Sequence, residues 1–343
     1  MSRRLLHFAL LALACRPIAA PVPSDLSRTT PAPAAREDAR FTVVVLGAQG
    51  GLVGDDLSAY LVAARGSAGF VCLDAGTLYT GLARAAARGA FPGLPRDPGR
   101  LLRDHVRAYL LSHPHLDHLA GLVLAAPDDA PGKPIAGLAP TLAALQGHLF
   151  NHAIWPNFAD AGAPPALARY TLLELPPERP VPLPAGDLSV EAWPLSHAGS
   201  PSTAFLLQQR DGSALLYLGD TGPDAVERTD RLARLWRRIA PRIRTGTLRA
   251  LFVEVSYPDP RPDEQLFGHL TPKWLAAELA ALAALVDPND PAALRTLTVV
   301  VTHIKPSPTA GPDPRAEIQT QLARTDTFGA RLVYPHQGDR LEF

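Results

Sequence analysis

From Phe41 onward, short apolar runs recur along the chain between glycine, proline and polar turns, and each run has the length of a strand. Phe41-Thr-Val-Val-Val-Leu46 is β-branched through its middle and predicts the first strand. A turn-rich stretch, Gly47 to Gly54, leads to a second strand-like run, Leu57 to Val62. Further strand candidates are Gly69 to Leu73, Val106 to Leu111, Ala204 to Leu207, Ala214 to Leu218, Leu248 to Val255 and Leu297 to Thr302. Helical periodicity separates some of them. It is clearest over Pro272 to Val286, where Thr271 is placed to cap the helix and Pro272 to fill its first turn. Strand and helix patterns interleave without an internal repeat, which predicts one mixed α/β domain over 41–343.

The segment before Phe41 follows different rules. Arg3 and Arg4 precede an apolar run from Leu5 to Ala14, and small residues follow to about Ala20. A positive start, a short apolar stretch and small residues make a secretory signal over 1–20, and the run is shorter than the roughly twenty apolar residues needed to span a bilayer. Ser2-Arg3-Arg4 hints at twin-arginine export, and Cys15 is a candidate lipid-attachment cysteine. Residues 21–40 are rich in Pro, Ala and Arg with no apolar face and read as a flexible tether. The expected location is the periplasm or cell envelope, with secretion as the alternative.

Composition narrows the chemistry. The 343 residues hold 33 basic and 33 acidic side chains, so the formal net charge is zero and no basic block is available to hold a nucleic-acid polymer. At 47% hydrophobic and 19% charged residues the chain can bury a large core. Two cysteines, Cys15 and Cys72, exclude a disulfide framework and a cysteine-based zinc cluster. Any metal must therefore be held by carboxylates and by some of the eleven histidines. The glycines of 47–54 match neither a dinucleotide fingerprint nor a P-loop, and read as a tight turn.

The candidate chemistry is concentrated in Ser112-His-Pro-His-Leu-Asp-His-Leu-Ala-Gly121, directly after the strand Val106 to Leu111. A loop leaving a strand end can aim His113 and His115 at one metal while Asp117 and His118, one turn on, face a second. Imidazole and carboxylate suit zinc, and also manganese or iron. A two-metal site needs further donors, and three follow at strand ends: His197 before the strand at Ala204, Asp220 after the strand at Ala214, and His303 after Leu297 to Thr302. This order of donors resembles the metallo-β-lactamase superfamily, which implies an αββα sandwich with a dimetal site at one edge of the two sheets. The resemblance implies that His113, His115 and His197 bind one ion, that Asp117, His118 and His303 bind the other, and that Asp220 bridges them.

Within that superfamily, His113-Pro-His-Leu-Asp-His-Leu-Ala-Gly-Leu-Val-Leu-Ala-Ala-Pro127 resembles the signature of class II cyclic-nucleotide phosphodiesterases, departing at Ala126 where that pattern has serine. Cys72 to Thr77, Phe150 to Asn157, Glu254 to Tyr257, Phe267 to Pro272 and Thr302 to Lys305 also look like this family. The implied reaction opens 3′,5′-cyclic nucleotides (cAMP, cGMP or both) to 5′-nucleotides, with two divalent ions, most readily Zn²⁺, and a hydroxide between them as nucleophile. The 3′ alkoxide leaves poorly unless protonated, so a general acid is wanted. His269 is the candidate, with Glu254 to orient it and Asp117 the further carboxylate of the catalytic set. Trp155, Asn157 and Lys305 are candidate substrate contacts, with the aromatics of 148–158 as a lid over the base. Two other readings stand beside this one: a hydrolase of the same fold acting on another phosphodiester, a thioester or a lactone, and a non-catalytic metal-binding envelope protein. The sequence is compatible with a homodimer.

Overall fold

The computed structural model describes residues 38–184 and 188–343; the expected export signal, Cys15 and the expected tether as far as residue 37 lie outside the described residues. The first sheet takes β1 (Phe41–Gly47), β2 (Ala59–Ala64), β3 (Phe70–Leu73), β4 (Val106–Leu110), β5 (Lys133–Gly137) and β6 (Tyr170–Glu174). The second takes β7 (Pro180–Pro182), β8 (Leu188–His197), β9 (Ser200–Gln209), β10 (Ala214–Tyr217), β11 (Leu248–Glu254), β12 (Thr298–Thr302) and β13 (Arg331–Val333). The last strand, β14 (Arg340–Glu342), returns to pair with β1, so the spatial orders are β14-β1-β2-β3-β4-β5-β6 and β13-β12-β11-β10-β9-β8-β7. Each sheet is antiparallel on one side and parallel on the other, β3 through β6 in the first and β10 through β13 in the second.

The unbroken apolar runs are explained by burial of both faces. Val43 and Val45 of β1 point between the sheets, where they meet Phe205, Tyr217, Phe252 and Val300 of the second sheet. Val44 and Leu46 point the other way, onto the helical layer that holds Leu82 and Leu122. A strand alternates its side chains between faces, so a strand covered on both sides must be apolar at every position. The second sheet is covered on its outer face by helices Arg231–Arg244 and Pro272–Val286. The arginine-rich Arg231–Arg244 buries Leu232, Leu235, Trp236, Ile239 and Ile243, one face at helical spacing. The result is the four-layer αββα sandwich that the resemblance implied.

Three local expectations change. The run at Ala204 to Leu207 is only the middle of β9, and an unpredicted ten-residue strand, β8, precedes it and pairs with it as a hairpin. His197 is therefore the last residue of β8 and not a loop residue leading into a strand. Helix Pro272–Val286 forms as expected with proline in its first turn, yet Thr271 makes no side-chain cap. The first-turn amide of Lys273 is instead satisfied by Asp259 Oδ2 at 2.8 Å, so a residue fourteen positions earlier does the capping. At the start of the described chain Ala39 is buried and Gln209 donates to the carbonyl of Arg40 at 2.6 Å, which holds the end of the predicted tether against the second sheet. Among the described residues no helix is long and apolar enough to cross a membrane.

Candidate metal centre and active site

The parallel halves of the two sheets aim their carboxyl ends at one edge, and loops leaving such ends are the usual place for a site in α/β folds. Chain direction places the donors there. His113 and His115 lie in the loop after β4, and Asp117 and His118 in the first turn of helix Leu116–Ala125. His197 ends β8, Asp220 follows β10, Glu254 ends β11 and His303 follows β12. His269 stands in the loop just before helix Pro272–Val286.

These side chains converge on Asp220. Its Oδ2 lies 3.2 Å from Nε2 of both His118 and His303, and 3.9 Å from Nε2 of both His113 and His197. Donor atoms of His113, His115 and His197 lie within 4.8 Å of one another, as do those of Asp117, His118 and His303. His118 and His303 bring their Nε2 atoms to 3.1 Å, and His197 Nε2 comes to 3.3 Å from His115 Nδ1. Nitrogens presented to each other with their lone pairs inward repel unless a proton or a cation sits between them.

The protein holds the rings from behind. Nδ1 of His113 donates to Ser112 Oγ (2.9 Å), that of His118 to Asp74 Oδ2 (2.7 Å), that of His197 to the Gly268 carbonyl (2.8 Å) and that of His303 to Ser256 Oγ (3.0 Å). The directions follow from bookkeeping of protons, because an ionised carboxylate and a carbonyl only accept. Ser112 passes its own proton to Asp74 (2.7 Å) and Ser256 passes its proton to Glu254 Oε2 (2.6 Å). Each serine thus ties one histidine to a buried carboxylate, leaving Nε2 free to face the centre. Such backing fixes tautomer and orientation and raises the basicity of a metal ligand. Asp74 also accepts from Tyr217 O–H at 2.5 Å and from the amide of Ser112 at 2.7 Å.

Charge and burial conflict within this cluster. Burial pushes His113 and His197 down, towards the neutral form. Burial acts the same way on His118, but Asp220 and Asp74 outweigh it and carry that imidazole well above its usual range. Burial would raise Asp220, and the neighbouring His118 and His303 reverse it. Among the described residues, His113 Nε2 and Asp220 Oδ1 are buried with no hydrogen-bond partner. An orphaned buried donor atom on each side of one gap is costly, and a divalent cation satisfies both. The donor set of five imidazoles and two carboxylates therefore fits divalent metal ions.

His269 is tied to Glu254, its Nδ1 2.7 Å from Oε1, and that carboxylate also accepts from the amide of Thr221 at 3.1 Å. Burial pushes the imidazole down to about 4 and the carboxyl up to about 7, so neither partner holds its charge firmly. The glycine-rich stretch has more than a turn's duty. Gly51 N donates to Asp117 Oδ2 at 3.1 Å, and a Cβ on Gly50 would come within 2.3 Å of the His303 ring, so only glycine lets this loop lie on the site.

The predicted substrate contacts separate. Lys305 lies near the site, its amide bonded to the Ser256 carbonyl at 3.1 Å. Trp155 packs on the core at the outer face of the first sheet. Asn157 is fully buried, with its amide engaged by Ala161 O, Ala163 O and Ala159 N, so it braces its own loop and has no group left for a ligand. Sequence reasoning gave no role to Asp74, Ser112, Tyr217 or Ser256. Asp74 and Ser256 did stand inside stretches singled out for resemblance, which was the available signal.

The family model for class-II cAMP phosphodiesterases matches residues 98–338. The chain belongs to this family. Named relatives agree: it is 39% identical to a 3′,5′-cyclic-nucleotide phosphodiesterase of Aliivibrio fischeri, over 88% of this chain and 93% of that one. It is 36% identical to a probable 3′,5′-cyclic-nucleotide phosphodiesterase of Yersinia pestis, over 89% and 90%. Among solved structures, unliganded yeast PDE1 superposes with a TM-score of 0.76 at 24% identity, covering 89% of this chain and all of that one. A metallo-β-lactamase fold protein of Bacillus subtilis superposes at 0.57 and 15% identity over the same share of this chain. Both structural likenesses speak to the fold. The span matched to the class-II family holds every one of the converging donors, His269 and Glu254, whereas Asp74 and the Gly50–Gly51 loop lie before it.

Proposed function

We propose that this chain hydrolyses 3′,5′-cyclic nucleotides to 5′-nucleotides. The observation that carries the reading is the convergence of donors on Asp220 beside the His269–Glu254 pair, in a chain of this family. His113, His115 and His197 would hold one divalent ion and Asp117, His118 and His303 a second, with Asp220 shared; zinc suits this donor set best. When bound, such ions neutralise phosphoryl oxygens and bring water to ionisation near neutral pH.

The side chains supply the rest. Ser112, Asp74, Gly268 and Ser256 keep the Nε2 lone pairs pointed inward. Glu254 holds His269 Nδ1, which leaves Nε2 as the atom that delivers a proton to the departing 3′ oxygen. Burial raises the Glu254 carboxyl to about 7, so this partner can return a proton to Nδ1 as Nε2 releases one to the alkoxide. A storage protein needs no such paired acid outside its ligand set, and this pair favours the enzyme over the envelope metal carrier.

The deciding assay incubates metal-loaded protein with cyclic AMP, cyclic GMP and bis(4-nitrophenyl) phosphate, with and without chelator. Chelator-sensitive release of 5′-nucleotide is expected. Cleavage of the nitrophenyl ester alone would leave a hydrolase of another substrate class. With His269→Ala, kcat on the cyclic nucleotide should fall about 10²- to 10⁴-fold while metal content holds; unchanged turnover would remove that residue from proton transfer.

We further read the chain as exported to the periplasm or envelope, on the strength of Arg3-Arg4 and the Leu5 to Ala14 run, with signal cleavage and lipid attachment at Cys15 as the two alternatives for its mature N-terminus. Cell fractionation and mass measurement of the mature N-terminus test both points.

A further inference from the structure

Resting on the cyclic-nucleotide reading, we propose that Arg261, stacked on Tyr257, and the neighbouring Phe267 form the subsite that receives the nucleobase. His269 packs against His197 and His303 on the side of the donor cluster, with ring centroids 4.7 and 5.3 Å apart. It meets Tyr257 edge-on at 5.6 Å. The cyclic phosphate belongs with the donors and the 3′ oxygen with His269, so the base, carried one sugar ring further, falls towards Tyr257.

That neighbourhood has the chemistry of a base platform. The Arg261 guanidinium lies 3.6 Å over the Tyr257 ring, anchored by its Nε donating to the Gln265 carbonyl at 2.6 Å. Arg261 is half-buried, and among the described residues its terminal N–H groups make no hydrogen bond; bases stack on guanidinium planes and on aromatic rings alike. Phe267 is 60% exposed, with Arg261 5.9 Å from its ring. Its φ of +52° is unusual for an aromatic residue, and strained backbone of this kind gathers at ligand sites.

A cavity of about 360 Å³ opens here between Tyr257, Arg261, Lys305 and the proline-rich segment from Pro306 to Pro314. Glu317 on its wall can accept from an exocyclic amine, while Arg261 and Lys305 can donate to ring nitrogen or carbonyl oxygen. Among the described residues neither cation has a carboxylate in ion-pair range. Neither this cavity nor a larger one of about 660 Å³, lined by Thr77, Tyr79 and Leu124, contains a converging donor, but this one is joined to the site through Tyr257, which meets His269, and Trp155 is committed to the core. The base platform thus lies on the loops after β11 and β12 instead of the 148–158 segment.

The test uses the metal-loaded full chain and three substrates: cyclic AMP, cyclic GMP and the methyl ribofuranoside 3′,5′-cyclic phosphate, which keeps the reacting ring and lacks the base. In Arg261→Met, kcat/KM for the cyclic nucleotides should fall about tenfold or more, chiefly through KM, on the scale of one lost base-stacking contact. Loss on the base-free ester should be much smaller. Phe267→Asn, chosen because asparagine tolerates the left-handed backbone, should show the same pattern. Equal losses on all three substrates, or none on any, would overturn the subsite. A wild-type enzyme that opens the base-free ring as well as the nucleotides would also overturn it, whereas failure to open any cyclic nucleotide would overturn the underlying reading itself.

Discussion

Two buried polar clusters lie in the first sheet's neighbourhood, and they are built to opposite ends. Around Asp129, every charged group is answered from within the protein. Lys133, which opens β5, binds Asp129 and the Leu102 carbonyl, and Asp129 Oδ2 accepts from Tyr109 at 2.5 Å and Tyr170 at 3.0 Å. Burial and then the Asp129 charge push both phenols up, so they remain donors. Around Asp220, similar burial leaves His113 Nε2 and Asp220 Oδ1 without partners. A closed network specifies and holds the fold, whereas an open one of equal depth costs stability and is kept for a ligand. The contrast separates a structural lysine from functional histidines without reference to motif.

Breaking the open cluster should have the largest effect, and on function. In Asp220→Ala, kcat/KM on a cyclic nucleotide is expected to fall by well over 100-fold, beyond the roughly 10–100-fold that losing a group behind a ligand costs. The same variant, measured in chelator, should also lose some stability in urea, because Asp220 Oδ2 answers His118 and His303 and these hold its carboxyl well below the usual range. Unchanged stability in chelator would mean that these imidazoles do not answer Asp220 in the apoprotein. Breaking the closed cluster should act on stability and spare the reaction. Lys133→Met leaves Asp129 buried without its cation and should cost about 3–5 kcal/mol in urea unfolding. At temperatures where the variant is folded, its kcat/KM should stay within about twofold, since additive effects are the rule for distant sites; a tenfold fall would tie this network to the reaction.

The same contrast explains what was legible in the sequence. HxHxDH after an apolar strand announced the open cluster because several donors sit within one loop, and His197, Asp220 and His303 were found by asking which strand ends carry a donor. Strands covered on both faces, such as β1, β11 and β12, appear as unbroken apolar runs. β8 was missed because Ser189, Glu191, Pro194 and Ser196 interrupt its pattern, although Glu191 is buried there through its pair with Arg238. The groups behind the ligands were hidden for a different reason. Asp74 reaches His118 across 44 positions and Ser256 reaches His303 across 47, and a lone aspartate or serine after a strand carries no mark of such a partner. Asn157 shows the converse, since an asparagine in a suggestive stretch was committed to its own loop.

Smaller changes test the backing groups one at a time. Ser256→Ala removes the hydroxyl between His303 and Glu254 and should weaken the second bound ion about 10–100-fold. The first ion, which His113, His115 and His197 would hold, is backed by Ser112 and Gly268 instead of Ser256 and should keep its affinity. Competition with a chelating dye resolves the two. If both ions weaken alike, Ser256 is a packing residue and the relay is wrong.

Tyr217→Phe should have the smallest effect, for a countable reason. Asp74 Oδ2 accepts from Tyr217, Ser112 and His118, and Oδ1 from the Ser112 amide, so losing one phenol leaves three donors on the carboxylate. The ring itself stays packed against Tyr60 in the layer between the sheets. Removing one hydrogen bond to a charged group costs about 1.5–3 kcal/mol, and here the remaining donors should hold the loss to the lower end, visible as a shifted urea midpoint. Metal affinity should drop less than tenfold, because His118 keeps its own bond to Asp74. A drop as large as that of Ser256→Ala would mean that the phenol sets the charge on Asp74 and through it the strength of His118 as a ligand. The open cluster would then extend across both sheets, from His118 to β10.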